Sequence, residues 1–115
     1  MAQVIWSNTA LDDLELILDY IALENTAAAK DLATAVFAKT DALIEHPQCG
    51  KIVDELIDLD YRQLLVNPVR IIYKVHKDRV QIYHIVRQER ALKLYLIHRA
   101  SAEQTSMALA SLWID

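Results

Sequence analysis

The chain is short of punctuation and of reactive side chains. Its 115 residues include one glycine, two prolines and one cysteine. A single cysteine, Cys49, excludes an intrachain disulfide and cannot by itself build a thiolate metal site. No apolar run approaches the roughly 20 residues that cross a bilayer. The opening MAQVIWSN lacks the basic start and long apolar block of a secretory signal, so a cytoplasmic address with no membrane attachment is expected. Glycine-rich phosphate loops, HExxH helices and Cys/His metal spacings are all missing, and nothing calls for a cofactor or a metal. Ser, His and Asp occur without a nucleophile motif around them. There is no internal repeat or low-complexity segment.

Apolar residues are abundant, at 54% of the chain, where roughly 45–50% is usual even with glycine counted. A chain of this length has room for one domain and one modest core. The surplus is met either by a well-filled core or by a covered face, against a partner or a second copy.

The net charge of −4 conceals an asymmetry. Residues 1–50 carry two basic and eight acidic side chains, whereas residues 51–99 carry ten basic and six acidic. The positive half could meet phosphates or an acidic protein surface. The whole is too acidic for a generic nucleic-acid binder, whose affinity rests on many phosphate contacts.

The pattern predicts an α+β domain. Residues 3–6 read as an opening strand. Ser7, Asn8 and Thr9 offer helix caps, with Thr9 and Asp12 at capping-box spacing. Ala10, Leu14, Ile17, Leu18 and Ile21 then fall at helical intervals, predicting a helix over residues 9–23, with Asp12, Asp13 and Glu15 near its positive end. Residues 24–26 break that pattern and cap a second helix over 26–45, which ends before Pro47. Its alanines permit close approach, so the two helices should form a hairpin. Gly50 is expected to supply the turn into the sheet, and residues 52–59 read as a weak edge strand. Runs of β-branched and aromatic residues at 64–66, 69–75 and 80–86, separated by Asn67-Pro68 and Lys77-Asp78, predict an antiparallel meander. Within its second strand Ile71, Tyr73 and Val75 share a face that must be covered, while Arg70, Ile72, Lys74 and His76 share the other. Residues 91–97 suit a short helix or a strand. Residues 101–115 read as a C-terminal helical extension of a domain spanning 1–100, with Met107, Leu109, Leu112 and Trp113 on one side.

The candidate site is a cluster of arginines, Arg62, Arg70, Arg87 and Arg90, with Tyr61, Tyr73, His76, Tyr83 and His84 interleaved. Converging guanidinium forks grip phosphate or carboxylate and stabilise charge that develops in phosphoryl transfer. The plainer reading pairs each arginine with a nearby acid, such as Arg62 with Asp60 or Arg90 with Glu89. Arg70 is the most informative, because an arginine between Val69 and Ile71 in a central strand requires a partner.

Taken in order, these signals resemble the RelE/ParE superfamily of small bacterial toxins from type II toxin–antitoxin systems. Ala10, Asp13, Leu14, Ile17, Tyr20 and Ile21 match its first-helix pattern. Leu43, Pro47, Gly50 and Lys51 match the end of its alanine-rich helix, and Tyr61, Arg62, Leu64, Arg70, Ile71 and Tyr73 match its sheet. The family's His-x-x-Arg segment near the last strand has Arg87 and Arg90 in its two places, without the histidine. The resemblance covers residues 3–91 and implies a strand and two-helix hairpin packed on a small antiparallel sheet, a cognate antitoxin partner, and a role in growth arrest or plasmid stabilisation. It implies one of two mechanisms. ParE-like members trap DNA gyrase without chemistry of their own. RelE-like members are mRNA interferases that cut messenger RNA on the ribosome, and here Arg62, Arg70, Arg87 and Arg90 would be the catalytic set. Arginine stays protonated and cannot serve as a general base at neutral pH, and the chain is acidic overall. Both points favour a gyrase inhibitor whose target-binding residues are Arg62, Arg70, Tyr73, Arg87 and Arg90. A non-toxic protein-binding relative is a third reading, and the tail could alter target choice or contact a second copy in a homodimer.

Overall fold

The computed structural model describes residues 2–88. Strand β1 (Gln3–Trp6) leads into helices α1 (Asn8–Ala22) and α2 (Thr26–Asp41). Strand β2 (Lys51–Ile52) and a 3₁₀ strap (Asp54–Leu59) follow, then β3 (Arg62–Val66), β4 (Val69–His76) and β5 (Arg79–Arg87). The five strands form one sheet in the order β1-β5-β4-β3-β2. The meander is antiparallel as expected, and β1 adds to the edge of β5 in parallel, which makes the sheet mixed.

Local chemistry sets the helix ends. Ser7, rather than Thr9, caps α1, its Oγ accepting the Ala10 N–H at 2.9 Å. Because the helix starts at Asn8, no acid lies in its first turn, and the expected dipole role for the early carboxylates lapses. Asn25 caps α2 through the Ala28 N–H at 3.0 Å. The α-helix stops at Asp41, four residues before the expected end, and tightens into a 3₁₀ turn, Ala42–Ile44, that buries Leu43. Terminal tightening of this kind is common where a proline follows.

The two helices cover one face of the sheet. Ala10, Leu14, Leu32, Val36 and Leu43 meet Val66, Val69, Ile71, Tyr73, Val80, Ile82 and Ile85 in the main core. The other face carries a smaller cluster in which Val53, Leu56 and Tyr61 lie over Ile72 and Val86. This corrects the expected edge strand at 52–59. Only Lys51 and Ile52 pair with β3. Val53 and Leu56, three residues apart, are both buried by a helical turn, which strand alternation could not achieve. The acidic residues of the strap are also poor strand formers. As a result Val69, Arg70, Ile71, Ile72 and Tyr73 are all buried, so the centre of β4 is covered from both sides.

Gly50 serves a different need from the expected one. Its backbone is not left-handed; what it supplies is space. A Cβ at this position would lie 2.7 Å from Tyr73 Cε1, 2.8 Å from the Gln63 carbonyl oxygen, and closer still to the Tyr73 hydroxyl. The Gly50 N–H donates to that hydroxyl at 2.8 Å. Gly50→Ala is therefore expected to lower stability by about 1–3 kcal/mol through overpacking. Urea denaturation reads this as a fall in midpoint without a change in slope.

Candidate functional site

The three arginines of the candidate cluster that are described, Arg62, Arg70 and Arg87, do not converge. Arg70 leaves β4 on the face away from the helices and runs beneath the strap. Its Nε donates to Gln63 Oε1 at 2.8 Å, while Nη2 and Nη1 donate to Glu55 Oε1 and Oε2 at 3.0 and 3.2 Å. The Arg70 side chain is 8% exposed and that of Glu55 is 38%. A guanidinium buried to this degree is tolerated only with well-placed acceptors, and the bidentate carboxylate supplies them. Its partner is Glu55, fifteen residues away in the chain, and no sequence-adjacent acid.

Arg62 stands opposite Tyr73 in the ladder, with its side chain on the helix side of the sheet. Among the described residues it engages no carboxylate in a hydrogen bond. Nη1 donates to the backbone oxygens of Gly50 at 2.8 Å and Gln48 at 3.2 Å, which ties the turn before β2 to the sheet. Tyr73 is fully buried beside it, and its hydroxyl accepts the Gly50 N–H. Burial pushes the Tyr73 phenol upward, and the Gly50 hydrogen bond partly opposes that rise. Arg87 pairs with Val69 at the far end of β5 and lies over the Tyr20 ring of α1, 5.1 Å from its centroid. Arg62 and Arg70 are separated by three ladder steps, roughly 10 Å at ~3.3 Å per residue, and point to opposite faces. Arg90 lies outside the described residues, as does the expected tail at 101–115.

Two other arrangements come from residues whose partners are distant in sequence. On α1, Asp13 is 8% exposed, and its Oδ2 accepts the Ile85 N–H at 3.1 Å and faces His84 Nδ1 at 3.3 Å. It does this where β5 has run past the end of β1 and the register of β4 and β5 shifts. The sequence carried a signal for it. Asp13 lies three residues after Ala10 and four before Ile17, on the inward face of the helix. The second arrangement is on the outer face of the sheet. His76 Nε2 lies 3.1 Å from the Tyr83 hydroxyl, Tyr83 packs edge-on against Tyr61 with centroids 5.5 Å apart, and Lys74 Nζ sits 5.2 Å from the Tyr61 centroid. Burial, together with Arg79 and Lys74, depresses the His76 pKa below the ordinary 6.5. Burial raises that of Tyr83. Among the described residues, no group of three His, Cys, Asp or Glu side chains is placed to hold a metal ion. No helix among them is long and apolar enough to cross a membrane.

The sequence model for the ParE toxin of type II toxin–antitoxin systems (parDE) matches residues 4–92, from β1 to just beyond β5. The chain belongs to the ParE toxin family. A toxin named RelE2 from Caulobacter vibrioides is 35% identical over 94 residues, covering 82% of this chain and all of that protein. Among solved structures, the chromosomal ParDE toxin–antitoxin system from P. aeruginosa includes a chain that superposes with a TM-score of 0.66 at 20% identity. The match covers 77% of this chain and 98% of that one, and it establishes the shared fold. The strand, helical hairpin and arginine-bearing sheet of this ParE-family chain are therefore those the resemblance implies.

Two measurements follow from the site. Asp13→Ala removes the acceptor of a buried backbone N–H and is expected to cost about 1–3 kcal/mol, read by thermal or urea unfolding. The His76 expectation concerns pH. Because the folded form holds the ring neutral below 6.5, the unfolded chain binds more protons as pH falls, and stability drops. The loss begins near the unfolded value and is complete below the depressed folded one. His76→Gln should flatten this segment of the stability profile, measured as denaturation midpoints between pH 7.5 and pH 4.5.

Proposed function

We propose that this ParE-family chain arrests growth by binding and trapping a protein target, DNA gyrase, without chemistry of its own, and that a cognate antitoxin neutralises it in the cytoplasm. The observation that carries the reading is the dispersal of the arginines. Arg70 is spent on Glu55 and Gln63, Arg62 on two backbone oxygens, and Arg87 lies over Tyr20 on the opposite face from Arg70. Charge stabilisation in a transition state needs several donors aimed at one point, and this arrangement aims them at different structural acceptors. In this reading Arg62 and Arg87 lie at the rim that meets the target, and Arg90 is a further target-binding residue. Arg70 and Tyr73 act at one remove, by fixing the sheet that presents that rim.

A second reading, ribosome-dependent cleavage of messenger RNA, has one observation in its favour. His76 is held neutral at pH 7, as a general base must be, beside Lys74, Arg79 and the Tyr83 hydroxyl. Purified protein distinguishes the two. The gyrase reading expects inhibited supercoiling and trapped, cleaved DNA, with messenger RNA left intact on stalled ribosomes. It also expects His76→Gln to inhibit gyrase as well as the unaltered chain does. Cleaved messenger RNA with normal supercoiling, abolished by His76→Gln, would replace this reading with the nuclease.

A further inference from the structure

Helix α1 carries a line of exposed apolar side chains. Leu16, Tyr20 and Leu23, at spacings of four and three, lie beside its buried face and are 45%, 64% and 81% exposed. Leu23 is the C-cap and keeps a right-handed helical backbone, so the line runs unbroken to the end of the helix. Its two borders differ. On the solvent side Asp12, Glu15 and Asp19, at spacings of three and four, form a row of exposed carboxylates, and α1 carries no basic residue to offset them. On the sheet side the Arg87 guanidinium lies over the Tyr20 ring, 5.1 Å from its centroid. The stripe is therefore apolar along its centre, negative on one border and positive on the other.

One apolar residue on a surface is ordinary, but three in line on one helix form a contact surface. Spacings of four and three make the seam that one helix offers to another. Leu16 to Leu23 spans about 10 Å of helix axis at 1.5 Å per residue, or two turns. The order of charges then selects the occupant. Its apolar side must be bordered by Lys or Arg where it meets Asp12, Glu15 and Asp19, and must lack them where it passes Arg87. Arg87 also belongs to the rim that meets the target, so the stripe continues that rim onto the helix.

We propose that this stripe seats an amphipathic helix of the target gyrase, with apolar side chains on Leu16, Tyr20 and Leu23 and basic side chains along Asp12, Glu15 and Asp19. On the gyrase reading, which this contact presupposes, α1 is the part of the toxin that grips the target. The gripped segment is apolar along one side and basic on the border away from Arg87.

Inhibition of gyrase supercoiling, titrated with the purified full chain, tests the contact. Leu16→Gln/Leu23→Gln should raise the concentration needed for half inhibition by about tenfold or more. Its urea midpoint should match that of the unaltered chain, because both side chains are exposed. Leu16→Met/Leu23→Met keeps the apolar contact and should inhibit as the unaltered chain does. Asp12→Lys/Glu15→Lys/Asp19→Lys leaves the apolar side chains in place and should weaken inhibition by about threefold or more. Unchanged inhibition by either the Gln or the Lys variant would overturn the proposal. So would a dimeric chain that Leu16→Gln/Leu23→Gln makes monomeric, because the stripe would then belong to a second copy. An unaltered chain that leaves supercoiling untouched would defeat the gyrase reading itself, and this contact with it.

Discussion

The fork between Arg70 and Glu55 is the contact on which the outer half of the molecule depends. β4 is the third of five strands, and its first five residues are buried. Helices α1 and α2 close one side of it. The strap closes the other, and it is irregular: Leu56 interrupts its helical geometry and Asp60 ends it at a left-handed φ of 60°. Three apolar anchors, buried Val53 and Leu56 and half-buried Leu59, hold this short segment. Glu55 lies between the first two, and its carboxylate takes both terminal nitrogens of Arg70. Removing either partner would leave a buried charge or an untethered strap, and the cover over Ile72 and Val86 rests on both.

A parallel arrangement operates on the helix side, with backbone as the partner. The Asp13 carboxylate takes the N–H of Ile85 where β5 has run past β1 on that edge, and the Ser7 hydroxyl donates to the Tyr83 carbonyl two residues earlier. Polar groups at the exposed edge of a strand would otherwise be open to pairing with another chain. Here the first helix and its cap satisfy two of them. The Gly50–Tyr73–Arg62 contacts do the same for the turn before β2. The sheet is thus fixed at three places by polar side chains that sequence patterning places on surfaces.

The fold was largely legible in the sequence because it rests on short-range periodicity. The i, i+3, i+4 spacing from Ala10 to Ile21 and the alternation from Val69 to Val75 each name an element and its buried face. The strap was not legible, because a pair of apolar residues three apart looks equally like a poor strand. Gly50 was visible as a singular residue, but its reason, the ring of Tyr73, is set by an approach across 23 residues. The candidate site was the least legible part. A run of arginines reads as a cluster along the chain, yet alternation sends Arg62 and Arg70 to opposite faces. Glu55 and Asp13 gave no hint of which residues they would hold. Membership of the ParE toxin family fixes the fold class and broad role, and the acceptors that hold Arg62 and Arg70 are seen only in the folded chain.

The central proposal is that Arg70 shapes the sheet and takes no part in chemistry. The double variant Arg70→Met/Glu55→Leu tests it most directly, because replacing a buried ion pair by apolar groups of similar volume is often neutral or stabilising. Its growth arrest on expression without antitoxin, measured beside its urea midpoint, should match the unaltered chain on both counts. A double variant as stable as the parent that no longer arrests growth would contradict the account and return Arg70 to the active surface.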